Sequence, residues 1–141
     1  MGKIELEQID IKPLEKYVAE IDKLFQKLHK KVDIETQKEL EYQIYYFMNY
    51  TNSLWKIYIR NAYKLSKTKN AIFVSERQYF NSDLATTKKI NKDFLEENDL
   101  VELQKQIMER IEKEEFTIKR LANFINNERI NDLSMKKRQD T

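Results

Sequence analysis

The residues best suited to chemistry lie between Tyr42 and Ser75, a window that contains no aspartate or glutamate. This window holds five basic residues and six of the eight tyrosines of the chain. Four of the cations recur at steps of four, four and three residues, namely Lys56, Arg60, Lys64 and Lys67. Side chains at this spacing lie on one face of an α-helix. Positive groups one helical turn apart can contact successive phosphates of a nucleic acid.

Tyrosines fall on the same side of the helical wheel as these cations. Tyr42, Tyr46 and Tyr63 share that face, and phenol rings stack on unpaired bases for roughly 1 to 3 kcal/mol each. The opposite face is a regular apolar stripe, which consists of Leu40, Ile44, Phe47, Thr51, Leu54, Tyr58, Ala62 and Leu65. The pattern predicts a protein that binds single strands or the nucleic-acid backbone. A basic tail with Lys136, Lys137 and Arg138 is expected to add a mobile arm to this site.

The same window has a second interpretation. A helix with rings on every side is often the buried centre of a bundle, with the tyrosine hydroxyls and the lysine ammonium groups reaching solvent at its rim. Residues 96–115 sum to −5, the opposite of the +5 carried by residues 42–75. The two segments are therefore expected either to neutralise each other or to leave the basic face open. The exposure of the four cations distinguishes the two interpretations.

Catalytic and metal-binding patterns are weak. The chain has a single histidine, His29, and no cysteine, so it lacks the partners of a His-activated nucleophile and of a thiolate metal site. Its one glycine, Gly2, excludes a glycine-rich phosphate loop. We expect a non-enzymatic protein without a cofactor, a metal or a small-molecule substrate.

Composition predicts the fold class. One glycine and one proline among 141 residues are too few for the tight turns of sheets, and the prediction is an all-α fold. We expect one domain over residues 1–133, a bundle of about four helices around one long central helix, followed by a mobile basic tail over residues 134–141. No apolar run is long enough for a membrane span, so no membrane partner and a cytoplasmic location are expected. The abundance of Lys, Ile and Asn is typical of AT-rich genomes, including those of low-GC bacteria and their phages.

The 3.6-residue period locates four helices. Helix 1 begins at Pro13, and its apolar stripe is predicted to consist of Leu14, Tyr17, Val18, Ile21, Leu24, Phe25, Leu28 and Val32. Helix 2 runs from a capping box at Thr36 and Glu39 to about Lys67. Residues 68–83 are predicted to form a loop, in which Ala71 to Val74 are a short extended segment or an apolar plug. Helix 3 is predicted over residues 84–97, with Leu84, Ile90, Phe94 and Leu95 directed inward. Helix 4 is predicted from a cap at Asp99 to near Asn131, with Leu100, Leu103, Ile107, Ile111, Ile118, Leu121 and Ile125 inward.

A second class of function stays open. Tyrosine, tryptophan and arginine dominate the energetics of protein interfaces, so the aromatic side of helix 2 also suits a protein partner. Tyr46 and Tyr50 would then be the anchors. In this interpretation the chain is a self-assembling subunit or an inhibitor of another protein, such as a phage product that acts on a host factor.

Overall fold

The protein was analysed as a computed structural model that describes the backbone of residues 4–139 and the side chains of residues 4–131. It is 88% helical, and no strand occurs within the described residues, so the all-α prediction is confirmed. The four α-helices of this part are α1 (Lys12–Lys30), α2 (Ile34–Glu76), α3 (Asp83–Asp93) and α4 (Leu95–Gln139). The expected bundle with a long central helix is confirmed, and α2 has 43 residues.

The start of α2 differs from the capping box that the sequence suggested. The cap is provided by Asp33, whose carboxylate accepts hydrogen bonds from the Thr36 hydroxyl at 2.8 Å and from the Thr36 backbone N–H at 3.2 Å. These bonds, led by that of the hydroxyl, hold the pKa of Asp33 below its usual value. Asp33 suits the N-cap position of α2 for two reasons. Aspartate is a strongly preferred N-cap residue, and its negative charge is favourable at the positive end of a helix.

The end of α2 lies nine residues beyond the predicted position at Lys67. Residues 68–76 are helical, so the predicted loop over 68–83 was wrong for these residues, and 71–74 are neither an extended segment nor part of a loop. Ile72 and Phe73 pack against the cluster of Leu65, Ile90 and Phe94, and this burial outweighs the low helix propensity of Thr68 and Asn70. Only residues 77–82 connect α2 to α3, through a short 3-10 helix at Arg77–Tyr79.

The boundary between α3 and α4 also differs from the predicted one. Ser82 caps α3 by accepting a hydrogen bond from the Ala85 N–H at 3.1 Å. However, α3 ends at Asp93, and α4 begins at Leu95 because buried Phe94 breaks the helical path between them. Asp99 therefore lies inside a helix and does not cap it. The predicted end of α4 near Asn131 was also wrong, since the helix continues to Gln139.

Several residues that were predicted to point inward are exposed. The exposed ones are Leu84, Leu95, Leu103 and Leu121. Gln104 and Met108 occupy core positions of α4 instead, while Ile111, Ile118 and Ile125 are buried as expected. The periodicity was correct at Ile111, Ile118 and Ile125, whereas Gln104 and Met108 are buried one residue after the predicted Leu103 and Ile107.

Contacts within the chain divide it into two compact units. Unit 1 comprises Met1–Asp10 and Ser53–Glu109, and unit 2 comprises Ile11–Asn52 and Arg110–Thr141. The helices α2 and α4 contribute to both. The prediction of a single domain stays a prediction.

The interior of unit 2 is mainly apolar, with Gln37 and Thr51 also buried. Helix α1 buries Leu14, Ile21, Leu24 and Leu28, four residues of the stripe that its sequence predicted. Leu40 and Phe47 of α2 are buried in the same unit. Five of the eight residues of the predicted stripe of α2 are buried, namely Leu40, Phe47, Thr51, Leu54 and Leu65. The other three, Ile44, Tyr58 and Ala62, are half-buried.

Unit 1 mixes apolar and amide side chains in its interior. Leu65, Ile90 and Phe94 form a buried cluster, and Ile4 from the N-terminal segment packs against it. Asn61 and Gln104, at 3% and 2% exposure, are buried in the same unit. None of the helices in the described part of the chain is long and apolar enough to cross a membrane.

Candidate nucleic-acid interface

The four predicted cations lie on the surface of unit 1. Lys56, Arg60, Lys64 and Lys67 are all exposed, and Tyr63 on the same face is 66% exposed. Because α2 is a regular helix here, the five side chains fall within an arc of about 100° at 100° per residue. We call this set the basic face.

The cations of the basic face have different neighbours. Lys56 makes no hydrogen bond or ion pair with any residue that the structure describes, so its ammonium is open to solvent. The Lys67 ammonium lies 5.9 Å from the centre of the Tyr63 ring, within the range of a cation–π contact. This contact leaves the charge of Lys67 uncompensated while holding the ring and the ammonium side by side.

Arg60 and Lys64 contact the N-terminal segment of the chain. The Arg60 guanidinium donates to the Glu7 carboxylate at 2.7 Å, and both side chains are more than half exposed. The Lys64 ammonium donates to the backbone carbonyl of Glu5 at 2.9 Å. Only the first contact neutralises charge, since a carbonyl is uncharged. The carboxylate that contacts the basic face here is that of Glu7, which precedes the first helix.

The fifth basic residue of the acid-free window is not part of this surface. Lys69 is half-buried, and its ammonium donates to the Asn98 side-chain carbonyl at 2.8 Å. Burial lowers the pKa of Lys69 below its usual value. Its role is to satisfy a polar group between α2 and α4 within unit 1.

A buried amide network fixes the N-terminal segment in unit 1. The Asn61 side-chain carbonyl accepts from the Glu7 N–H at 3.0 Å, and the Asn61 amide donates to the Glu7 carbonyl at 2.9 Å. Gln104 donates to the same Glu7 carbonyl at 2.9 Å, and its own carbonyl accepts from Asn61 at 2.9 Å. Both polar groups of the Glu7 backbone are therefore bound by side chains.

The remaining predicted site residues do not join the basic face in the same unit. Tyr42 and Tyr46 belong to unit 2, where they are 63% and 48% exposed. The Tyr46 ring stacks near Tyr17 of α1, with ring centres 6.3 Å apart. Lys136, Lys137 and Arg138 lie outside the described side chains, so their predicted contribution stays a prediction.

Sequence reasoning missed Glu7, Asn61 and Gln104. The pairing of Glu7 with Arg60 joins residues 53 positions apart, which no local pattern reveals. Asn61 interrupts the apolar face of α2 and Gln104 that of α4. A polar residue at a core position of a predicted helix was the available signal, because buried amides are found where they have partners.

His29 and the acidic residues are the other groups that could take part in catalysis or metal binding. His29 is exposed at the end of α1. Among the described side chains, no three histidine or carboxylate groups are placed to hold a metal ion. Comparison with protein-family models, with curated proteins and with solved structures found no match to this chain.

Proposed function

We propose that the protein is a non-enzymatic nucleic-acid-binding accessory that holds a single strand, or its backbone, on the basic face of unit 1. The supporting observation is the exposure of all four cations together with an exposed tyrosine ring. Lys56, Arg60, Lys64 and Lys67 contact phosphates, and Tyr63 stacks on a base. A cytoplasmic location belongs to this proposal and agrees with the lack of cysteine.

The proposal predicts a strong dependence of affinity on salt. Each phosphate contact on a single strand contributes about −0.7 to the slope of log K against log salt concentration, so four contacts give about −2.8. The affinity should then fall about 50-fold between about 50 and 200 mM salt. A surface that recognises a protein through rings alone would show a much flatter dependence.

The test is a charge reversal on the basic face. Titration of a fluorescent oligothymidine with the triple variant Lys56→Glu, Arg60→Glu, Lys64→Glu should show no binding at concentrations that saturate the wild type. The matched control reverses three exposed lysines of unit 2, Lys16, Lys38 and Lys113, and so changes the net charge equally. Equal loss in both variants would indicate a general charge effect, and unchanged binding in the first would remove the proposal.

A specific observation supports a second candidate, a protein-binding module that uses unit 2. A cavity of about 490 Å³ lies between the end of α1 and α4, and apolar side chains line most of it, including Phe25, Leu121 and Phe124. Phe124 is 60% exposed, and Phe116, which precedes it on α4, is exposed as well. Exposed aromatic groups beside a concave apolar surface are typical of interfaces.

Measurement of the oligomeric state tests this second candidate. If unit 2 mediates self-assembly, light scattering should show a defined oligomer that dissociates when Phe124 or Tyr46 is changed to serine. Tyr79→Ser is the control, because this exposed tyrosine lies in unit 1. A monomer at all concentrations, together with no captured protein partner, would argue against the module.

A further inference from the structure

The N-terminal segment lies along the basic face. Residues 4–10, which we call the strap, have no helical structure and belong to unit 1. Ile4 and Leu6 are half-buried, whereas Glu5 and Glu7 are exposed. This alternation is the side-chain pattern of an extended chain. The strap therefore directs its apolar residues inward and its acidic residues outward, next to the cations.

The contacts set the register between the strap and α2. Glu5 lies opposite Lys64, and Glu7 lies opposite Arg60, so the strap runs antiparallel to the helix. Two residues of extended chain advance about 6.6 Å. Four residues of α-helix advance about 6 Å. The two repeats match closely enough for alternate strap residues to meet cations one helical turn apart.

The Glu7 carboxylate occupies the position that a phosphate oxygen would take on Arg60. The 2.7 Å contact is a charge-assisted hydrogen bond between an anion and a guanidinium, the same chemistry that binds phosphate. Since both side chains are more than half exposed, solvent weakens this pair, and a phosphate can displace it. The carbonyl of Glu5 similarly takes one hydrogen-bond donor of Lys64.

We infer that the strap is an intramolecular competitor of nucleic acid, with Glu7 as a phosphate mimic that limits the affinity of the basic face. This inference rests on the proposed function and concerns its regulation. The Glu7 side chain can leave Arg60 while the Glu7 backbone stays bound to Asn61 and Gln104. Lys56 and Lys67 make the first contacts with the strand, and Arg60 joins when its carboxylate is displaced.

The experiment compares two neutralising substitutions in the strap. Glu7→Gln removes the carboxylate that contacts Arg60 and keeps the shape of the side chain. Glu5→Gln removes the same charge two residues away, where the side chain contacts no cation among the described residues. The binding of a fluorescent oligothymidine is measured for both variants and the wild type at several salt concentrations, and thermal melting checks that all three are folded.

Specific competition predicts a difference between the two variants. Glu7→Gln should bind about three- to five-fold tighter than the wild type, the range expected when an exposed ion pair no longer competes. Its salt dependence should stay close to that of the wild type, because Arg60 contacts a phosphate in both bound proteins and the number of phosphate contacts is unchanged. Glu5→Gln should change the affinity much less. Asn61→Leu, which releases the strap backbone and leaves Arg60 in place, should increase the affinity at least as much as Glu7→Gln.

The outcomes separate this inference from the proposed function. If the wild type binds, the charge-reversal variant does not, and Glu7→Gln and Glu5→Gln have equal affinities, then the basic face is a binding site. In that case Glu7 does not compete with nucleic acid for it. If the wild type does not bind and Glu7→Gln does, the competition is stronger than expected and both ideas hold. If no variant binds, both are removed.

Discussion

The two units differ in what they bury and in what they expose. Unit 2 buries mainly aliphatic side chains and Phe47, together with Gln37 and Thr51, and exposes tyrosine and phenylalanine rings. Unit 1 buries the amides of Asn61 and Gln104 beside its apolar cluster and exposes four cations on α2. Apolar packing tolerates many side-chain arrangements of similar volume, whereas the hydrogen bonds of an amide network can form in only a few arrangements. The interior of unit 1 is therefore expected to specify its structure more narrowly than that of unit 2.

This comparison explains why the strap belongs to unit 1. An extended segment that lies on a helix has unpaired backbone groups, and these need partners when they are partly buried. Asn61 and Gln104 supply those partners for Glu7 with three hydrogen bonds of 2.9 to 3.0 Å. Unit 2 has no comparable clamp among the residues described, and its stability is expected to depend on packing.

The largest expected effect is on the packing of unit 2. Phe47→Ala removes a side chain that is 1% exposed and should lower the free energy of unfolding by about 3 to 5 kcal/mol. Urea unfolding followed by circular dichroism measures this change. The control is Tyr42→Ala on the same helix, where an exposed ring should cost less than about 0.5 kcal/mol. Similar losses for both variants would contradict the assignment of the core face.

The next effect tests the amide network of unit 1. Asn61→Ala leaves the Glu7 N–H and the Gln104 side-chain carbonyl without Asn61 and should cost about 2 to 3 kcal/mol. The double variant Asn61→Leu, Gln104→Leu should recover part of this loss, because it leaves no unpaired side-chain amide and only the Glu7 backbone groups must return to solvent. Unfolding followed by the fluorescence of Trp55, the single tryptophan, reports on unit 1. If the double variant is less stable than the single one, the network is itself a source of stability.

A smaller effect is expected at the start of α2 in unit 2. Asp33→Ala removes the cap and should lower the melting temperature at neutral pH. Since hydrogen bonds from Thr36 lower the pKa of Asp33, its contribution is complete above the ordinary aspartate pKa and is lost as the pH falls through the lowered value. Melting curves from neutral to acidic pH should therefore converge for the two proteins. A constant difference would show that the charge of Asp33 does not matter.

The smallest effect concerns Glu115 of α4 in unit 2. Burial raises the pKa of Glu115, Glu112 raises it further, and Lys119 opposes both. The ionised form is therefore disfavoured in the folded protein, and Glu115→Gln should stabilise it at neutral pH by less than about 0.5 kcal/mol. The advantage should disappear as the pH falls through the raised pKa to below the ordinary glutamate value. An advantage that grows at acidic pH would contradict this sign.

The sequence was sufficient to predict the fold class and the core faces of α1 and α2. Scarcity of glycine and proline implied an all-α protein, and the periodicity of α1 and α2 identified Leu24 and Phe47 as core residues. Helix ends were less predictable, because the same scarcity removes the usual stop signals. Residues 68–76 stay helical because Ile72 and Phe73 are packed by residues distant in sequence.

The candidate site was predictable in part. The spacing of Lys56, Arg60, Lys64 and Lys67 correctly indicated one exposed face, since that depends only on helical geometry. The partner of Arg60 was not predictable, because Glu7 reaches it through a fold-level contact. Tyr42 and Tyr46 are exposed, as the helical wheel predicted. They belong to unit 2 because of contacts with other parts of the chain, which the helical wheel of a single helix does not show.

The way the strap is held has an evolutionary consequence. Asn61 and Gln104 bind the main chain of residue 7, and main-chain groups are the same for every amino acid except proline. Selection can therefore change the side chain at position 7 without loosening the segment. A single nucleotide converts a glutamate codon into a lysine codon, which would add a fifth cation where an anion now lies. Position 7 is thus a site at which related chains can diverge in affinity while conserving their fold.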